Sequence, residues 1–154
     1  MPPWDLPAAI GAWTASRDKG CYSQGGDRSG DDLILVTGDG SMQMNLQELQ
    51  TIIHHRMGIK IFVINNGGYH SIRQTQKNFF GEPLIGIGVD SGDLSFPALD
   101  KLAAAYGYPY VSARHNSELG EAVEKTLAAE GPVICEVFVS MDQNFEPKSS
   151  AKRL

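Results

Sequence analysis

Short apolar runs alternate along the chain with segments in which apolar residues recur at helical spacing. Clear apolar runs predict strands at residues 32–37, 59–64 and 133–139, and a shorter run predicts another at 108–113. The run at 32–37 carries four consecutive apolar residues, which is typical of a strand buried on both faces of a parallel sheet.

Helices are predicted between these runs, because apolar residues there are spaced three and four positions apart. The pattern at 42–56 predicts one continuous helix, whose apolar face carries Met42, Leu46, Leu49, Ile52 and Ile53. Other helices are expected at 7–16, 71–78, 95–107 (capped by Ser95 and ended by Gly107) and 117–130. Alternating strands and helices predict an α/β fold with three layers, an open and mostly parallel sheet with helices on both faces.

Length and composition narrow the class of protein. The chain has 154 residues, 42% of them hydrophobic, so we expect one domain over 1–154 with a polar, flexible loop at about 17–31 and a polar tail at about 141–154. No run approaches the ~20 apolar residues of a membrane span, and the N-terminus lacks the pattern of a signal peptide. Two cysteines cannot form a disulfide scaffold, so a cytoplasmic protein is expected. A net charge of −5 argues against a nucleic-acid partner.

Two polar turns follow consecutive predicted strands, at residues 38–41 (Gly-Asp-Gly-Ser) and 65–68 (Asn-Asn-Gly-Gly). Each alone reads as a tight turn. If the strands are parallel neighbours, however, both turns lie at the carboxyl edge of the sheet, where α/β proteins bind ligands. Asp39 and Asn66 are 66 − 39 = 27 residues apart, about one crossover, and both offer the oxygen ligands that Mg²⁺ prefers.

The same turns also suit an anionic phosphate. Glycines let the backbone approach a ligand closely, and Gly40 and Ser41 open a predicted helix whose N–H groups favour an anion. The sequence therefore predicts a metal ion together with a diphosphate. A dinucleotide-binding protein is disfavoured, because no Gly-x-Gly-x-x-Gly follows these strands, and no phosphate loop with Gly-Lys-Ser or Gly-Lys-Thr occurs.

The two turns resemble sequence motifs of a known enzyme family. Residues 6–12 (Leu-Pro-Ala-Ala-Ile-Gly-Ala) and 40–49 strengthen the resemblance. The chain is similar to thiamin diphosphate-dependent enzymes of the acetolactate synthase type, over their C-terminal, diphosphate-binding domain. The resemblance implies thiamin diphosphate and Mg²⁺ as cofactors. It implies that Asp39, the Asn66 side chain and the Gly68 carbonyl ligate the metal, and it assigns no catalytic residue. The implied cofactor-binding residues are Gly38, Asp39, Gly40, Ser41, Asn66, Gly68 and Tyr69.

Enzymes of this family decarboxylate a 2-oxo acid such as pyruvate and transfer the resulting unit. They also need a pyrimidine-binding domain with a glutamate, supplied by a neighbouring subunit. The resemblance therefore implies that this chain is a fragment or one subunit of a larger homo-oligomeric enzyme, inactive alone, whose partner is a missing N-terminal part or a separate chain. The alternative is the cofactor-binding subunit of a split 2-oxo acid decarboxylase. The sequence departs from the family pattern at Pro2. The family has a large apolar residue near this position, which holds the cofactor in a bent form.

Several other residues have two possible interpretations. The adjacent His54 and His55 are expected to be ordinary surface or packing residues, since helical zinc sites use histidines four apart. His70 either packs or contacts the cofactor or substrate. Residues 69–81 either cover the active centre or form a docking surface, through Tyr69, Ile72, Gln74, Gln76 and the Phe79-Phe80-Gly81 segment. Cys135 is expected in the core and Cys21 in a loop without reactive function.

Overall fold

The computed structural model describes residues 4–17 and 32–143. Its helices are α1 Asp5–Arg17, α2 Asp39–Gln43, α3 Glu48–His54, α4 His70–Phe79, α5 Leu99–Tyr106 and α6 Asn116–Ala128. Its strands are β1 Leu33–Gly38, β2 Ile59–Asn65, β3 Tyr110–Ala113 and β4 Val133–Phe138. The predictions made for Pro2, Cys21, most of the 17–31 loop and the tail beyond residue 143 lie outside the described residues.

The four strands form one parallel sheet in the order β1-β2-β4-β3. The larger core cluster joins α1, α3 and α5 to one face of this sheet, through buried residues such as Leu6, Leu49, Ile52, Ile61 and Ala103. A smaller cluster joins α6 to the opposite face, through Phe62, Ala113, Ala122 and Cys135. The predicted three-layer α/β fold is confirmed. Among the described residues, no helix is long and apolar enough to cross a membrane.

The edge strand β1 is less buried than its sequence predicts. Ile34 and Val36, on one face of the strand, are 56% and 58% exposed. On the other face, Leu33 and Leu35 are partly buried and Thr37 is fully buried. The expectation of burial on both faces is wrong for β1, because α6 covers β3 and β4 and no described helix packs over the outer face of β1. The same expectation holds for β2, whose first five residues are all buried.

The helix predicted at 42–56 is interrupted. Residues 44–47 form a turn with tighter backbone hydrogen bonds, such as Met44 N–H to the Ser41 carbonyl and Glu48 N–H to the Asn45 carbonyl. These bonds reach back three residues where an α-helix reaches back four. The periodicity identified the buried face correctly but could not locate the break.

The predicted cap at Ser95 is also wrong. Helix α5 begins at Leu99, after an extended Ala98 that makes no side-chain cap. Pro97 disfavours a helical backbone at Phe96, so the helix cannot extend back to Ser95. Its end is as predicted, because Gly107 adopts a left-handed φ of 79°.

Lys60 is a charged residue that the apolar pattern of β2 did not mark as buried. Its side chain is fully buried, and Nζ donates hydrogen bonds to the carbonyls of Ala129 and Gly131 (2.7 Å for the latter). The Asp32 carboxylate lies 3.1 Å from the same nitrogen. Lys60 thereby fastens the start of β2 to the turn before β4, since a buried ammonium is tolerated only when it is paired.

Candidate functional site

The two polar turns meet at the carboxyl edge of the sheet. In the parallel register of β1 and β2, Gly38 lies opposite Ile64, so Asp39 and Asn65 leave the sheet side by side. Asp39, Gly40 and Ser41 form the first turn of α2 and are buried. Strand adjacency, on which the sequence argument depended, is therefore present in the structure.

Asp39 presents one oxygen to the protein and leaves the other without a partner. Its Oδ1 accepts a hydrogen bond from the Gly40 N–H at 2.8 Å, while Oδ2 has no partner. Burial raises the pKa of the Asp39 carboxyl, and the backbone N–H groups of Gly40, Gly68 and Gly67 and the charge of Arg73 oppose that rise. The influence of Gly67 and Gly68 means that the carboxylate faces the second turn.

Asn66 offers a second buried oxygen of the same kind. Across the described residues, three buried side-chain atoms lack a hydrogen-bond partner: Trp13 Nε1, Asp39 Oδ2 and Asn66 Oδ1. A buried acceptor left unpaired costs free energy, so such atoms call for an explanation. Two of the three are oxygens from facing turns, and oxygen ligands are what a hard divalent cation requires. The residues present fit the metal that the sequence predicts.

Glycine is required in the second turn by a close crossing of two backbones. Gly68 has a φ of 143° and pairs with Gly88 in an isolated antiparallel bridge. A Cβ at Gly68 would lie 2.1 Å from the Ile87 carbonyl oxygen, and one at Gly88 would lie 2.1 Å from the Gly67 carbonyl oxygen. The crossing fixes the direction of the Gly68 peptide.

Arg73, a buried arginine that the sequence analysis did not single out, holds the second turn through hydrogen bonds. Arg73 is 1% exposed, and its Nε and Nη2 donate to the Asp90 carboxylate at 2.8 and 2.9 Å. The same guanidinium donates to the carbonyls of Asn66 and Gly67 at 3.4 and 3.3 Å. Hydrogen bonding from Arg73 lowers the pKa of Asp90, so the pair stays charged. No local pattern distinguishes Arg73 from an exposed helical arginine.

The ring of Tyr69 packs against the first turn. A Cβ at Gly40 would lie 2.5 Å from Tyr69 Cε1, so only glycine leaves room for the ring. Tyr69 also contacts Phe96 edge-on, with ring centroids 5.9 Å apart. Tyr69 therefore links the two turns to the segment that precedes α5. At Gly38, by contrast, the backbone does not require glycine, because its extended conformation is one that any residue can adopt.

A cavity of about 320 Å³ opens beside Asp39. Its walls include Asn65 and Gly67 from the second turn and Tyr110, Ser112 and Glu136 from β3 and β4. Glu136 was not singled out from the sequence, although it is the lone charged residue in the apolar run Val-Ile-Cys-Glu-Val-Phe.

The remaining predicted residues divide between core, helix and surface. His70 is buried, and its ring nitrogens lie 3.4 Å from Arg73 Nη1 and 3.2 Å from Gln74 Nε2, within α4. Phe79 and Phe80 are 72% and 80% exposed, and a lid or docking role for them stays a prediction. Cys135 lies in the core as predicted, and burial raises the pKa of its thiol.

His54 and His55 are exposed and contact each other edge-on, with ring centroids 4.8 Å apart. In the part of the chain that the structure describes, no group of three or more His, Cys, Asp or Glu could hold a metal ion. The exposure of both rings agrees with the expectation that these histidines lie on the surface.

The fold and the paired turns define an α/β domain with a candidate binding site at the carboxyl edge of a parallel sheet. Comparison with known families makes this class specific. Residues 4–137 match the family described as "Thiamine pyrophosphate enzyme, C-terminal TPP binding domain", and the chain belongs to that family.

The chain is similar to an acetolactate synthase and, over a shorter stretch, to a pyruvate decarboxylase. The acetolactate synthase large subunit of Cyanidium caldarium is 33% identical over 144 residues, which cover 94% of this chain and 22% of that protein. The pyruvate decarboxylase of Aspergillus parasiticus is 52% identical over 64 residues, which cover 42% of this chain and 11% of that protein. The chain thus spans about a fifth of the length of the acetolactate synthases it matches.

A solved structure is also similar to this chain in its fold. The thiamine diphosphate-dependent 4-hydroxybenzoylformate decarboxylase of Rhodococcus jostii RHA1 superposes with a TM-score of 0.72 at 25% sequence identity. The match covers 92% of this chain and 24% of that one. The resemblance to acetolactate synthase-like enzymes is confirmed at the level of this domain.

Proposed function

We propose that residues 1–154 form one domain that binds the diphosphate of thiamin diphosphate through Mg²⁺. In this proposal the chain is the C-terminal domain of an acetolactate synthase-like enzyme, which decarboxylates a 2-oxo acid such as pyruvate and transfers the resulting unit. The observation that carries the proposal is the pair of unpartnered buried oxygens, Asp39 Oδ2 and Asn66 Oδ1, on facing turns. Their chemistry suits Mg²⁺, which is usually bound by few protein oxygens together with substrate phosphates.

In this proposal both turns contribute to holding the metal and the cofactor. Asp39, Asn66 and the Gly68 carbonyl would ligate the metal, and Gly38, Gly40, Ser41 and Tyr69 would contact the cofactor. When bound, thiamin diphosphate supplies the electron sink for decarboxylation. The chain's own residues hold the anionic end in one place, because the Gly68–Gly88 crossing and the Arg73–Asp90 pair keep the second turn in a fixed shape.

We further propose that the domain works with a pyrimidine-binding domain, in a cytoplasmic homo-oligomer. That partner is either another part of the same protein or, in the alternative of a split 2-oxo acid decarboxylase, a separate chain. The support is that relatives are about five times longer than the matched region. We expect no steady-state consumption of pyruvate by the 154-residue chain alone with both cofactors present, and measurable turnover would contradict this.

Calorimetric titration tests the binding itself. We expect thiamin diphosphate to bind the chain with one-to-one stoichiometry when Mg²⁺ is present and not to bind in excess chelator, because the metal joins two negative groups, the Asp39 carboxylate and the diphosphate. Thiamin without its diphosphate is the matched control and should give no heat of binding. Equal binding with and without Mg²⁺, or equal binding of thiamin, would contradict the proposal.

A further inference from the structure

Glu136 is a buried carboxylate at the carboxyl edge of the sheet that the proposed function leaves without a role. It is 4% exposed, in the central strand β4. Its Oε1 accepts a hydrogen bond from Asn65 Nδ2 at 2.6 Å, and its Oε2 accepts one from the Tyr110 hydroxyl. Burying an ionised carboxylate is costly unless it is hydrogen-bonded, and here each oxygen has a donor from a neighbouring strand.

The bond to Glu136 decides which way the Asn65 amide points. Glu136 Oε1 accepts this hydrogen bond, so the Asn65 NH₂ group faces Glu136. The Asn65 carbonyl oxygen is then turned toward the second turn, where it accepts the Gly67 N–H at 3.0 Å. A flipped amide would set its NH₂ group against that N–H and its oxygen against the carboxylate.

Tyr110 fixes the other side of the carboxylate. Burial and the neighbouring Glu136 both raise the pKa of the Tyr110 hydroxyl, so it remains a donor at neutral pH. The chain of bonds runs from Tyr110 in β3, through Glu136 in β4 and Asn65 in β2, to the Gly67 N–H. That N–H belongs to a residue with a φ of 70°, immediately before Gly68.

We propose that Glu136 is a positioning residue for the cofactor turn, acting through Asn65 to hold the Gly67–Gly68 backbone in the shape that binds the metal and the diphosphate. This inference rests on the proposed function for its purpose, and on the hydrogen-bond chain for its mechanism. The two adjacent asparagines thus have different tasks: Asn66 offers its oxygen to the metal, and Asn65 transmits the orientation set by Glu136.

Two variants that break the chain at different points test the proposal, with two readouts. We expect Glu136→Leu and Asn65→Ala each to speed hydrogen exchange of the Gly67 amide in the cofactor-free chain by about tenfold, the effect of losing one hydrogen bond of ordinary strength. We expect each to weaken thiamin diphosphate binding in Mg²⁺ by a similar factor. The double variant should be no worse than either single variant, because both remove the same connection.

Conservative and remote variants separate positioning from general stability. Glu136→Gln keeps an acceptor oxygen for Asn65 and presents an NH₂ group that the Tyr110 hydroxyl oxygen can accept, so both readouts should stay within about threefold of the wild-type chain. If Glu136→Leu fails to fold, Tyr110→Phe replaces it, because it removes the donor that fixes the other oxygen of Glu136 and should speed Gly67 exchange in the same direction. Thr126→Val is the control, since it removes a buried hydrogen bond within α6 and should leave Gly67 exchange and cofactor affinity unchanged.

The outcomes distinguish this inference from the proposed function. Unchanged Gly67 exchange in Glu136→Leu, or in Tyr110→Phe where that variant replaces it, would overturn the positioning role, and so would effects that add fully in the double variant. If the unchanged chain does not bind thiamin diphosphate, the proposed function fails, and with it the purpose assigned to Glu136. Exchange in the cofactor-free chain would then still show whether Glu136 orders the turn.

Discussion

Replacing Asp39 with alanine is expected to lower the affinity for thiamin diphosphate in Mg²⁺ by more than about 100-fold, beyond the 10–100-fold loss typical of residues that only support a metal ligand. Asp39 is the one carboxyl side chain in the proposed ligand set, and its Oδ2 is buried without another partner. Calorimetry with Mg²⁺ present measures the loss.

Removing the charge of Asp39 without changing its shape should not destabilise the cofactor-free chain. Burial raises the pKa of Asp39, which means that the folded state disfavours the charged form near neutral pH. Asp39→Asn removes the charge at nearly constant shape, so we expect a melting temperature at least as high as that of the unchanged chain. A binding residue, unlike a structural one, shows this combination of lost affinity and retained stability.

Glu121→Ala is the matched control for Asp39→Ala, because it removes one negative charge from an exposed position in α6. It should leave thiamin diphosphate affinity unchanged. The site assignment would be wrong if Asp39→Ala bound the cofactor as tightly as Glu121→Ala does.

Replacing Gly68 with alanine is expected to lower the free energy of unfolding by about 3 kcal/mol or more, since it combines backbone strain with overpacking. The φ of 143° is one that residues with a Cβ rarely adopt. The added Cβ would also lie 2.1 Å from the Ile87 carbonyl oxygen, and a backbone atom cannot move aside as a flexible side chain can. Thermal unfolding measures the change, which corresponds to a fall of roughly 10 °C in melting temperature for a chain of this size.

Gly120 provides the matched control for that substitution. It lies inside α6, and a Cβ there would have no atom within 4 Å apart from its chain neighbours and the backbone of its own helix. Gly120→Ala should therefore stabilise the chain by up to about 1 kcal/mol, because alanine is the better helix former. Equal stabilities of the two alanine variants would contradict the close crossing at Gly68.

The outline of the fold and the two turns could be predicted from local patterns. The apolar run of β2 and the glycines of both turns are local sequence patterns, so the burial of β2 and the turns could be predicted from near neighbours alone. The exposed face of β1 could not be predicted in this way, because Ile34 and Val36 are apolar whether or not a helix covers them. Such cover depends on the tertiary arrangement.

Residues that support the site were missed for a related reason. Glu136 bonds to Asn65, 71 residues earlier in the chain, and Arg73 pairs with Asp90, 17 residues later. A lone glutamate in an apolar strand indicates a buried pair, but the sequence does not say with which residue. Parallel pairing of β2 with β4 supplies that partner.

A crystal structure of the chain with thiamin diphosphate and Mg²⁺ tests the central claim most directly. The account predicts one magnesium ion bonded to Asp39 Oδ2, Asn66 Oδ1 and the Gly68 carbonyl oxygen at roughly 2.0–2.1 Å, with the cofactor's phosphate oxygens among its other ligands. An ion bound elsewhere, or a diphosphate that contacts neither the turn at 38–41 nor the turn at 65–68, would contradict it.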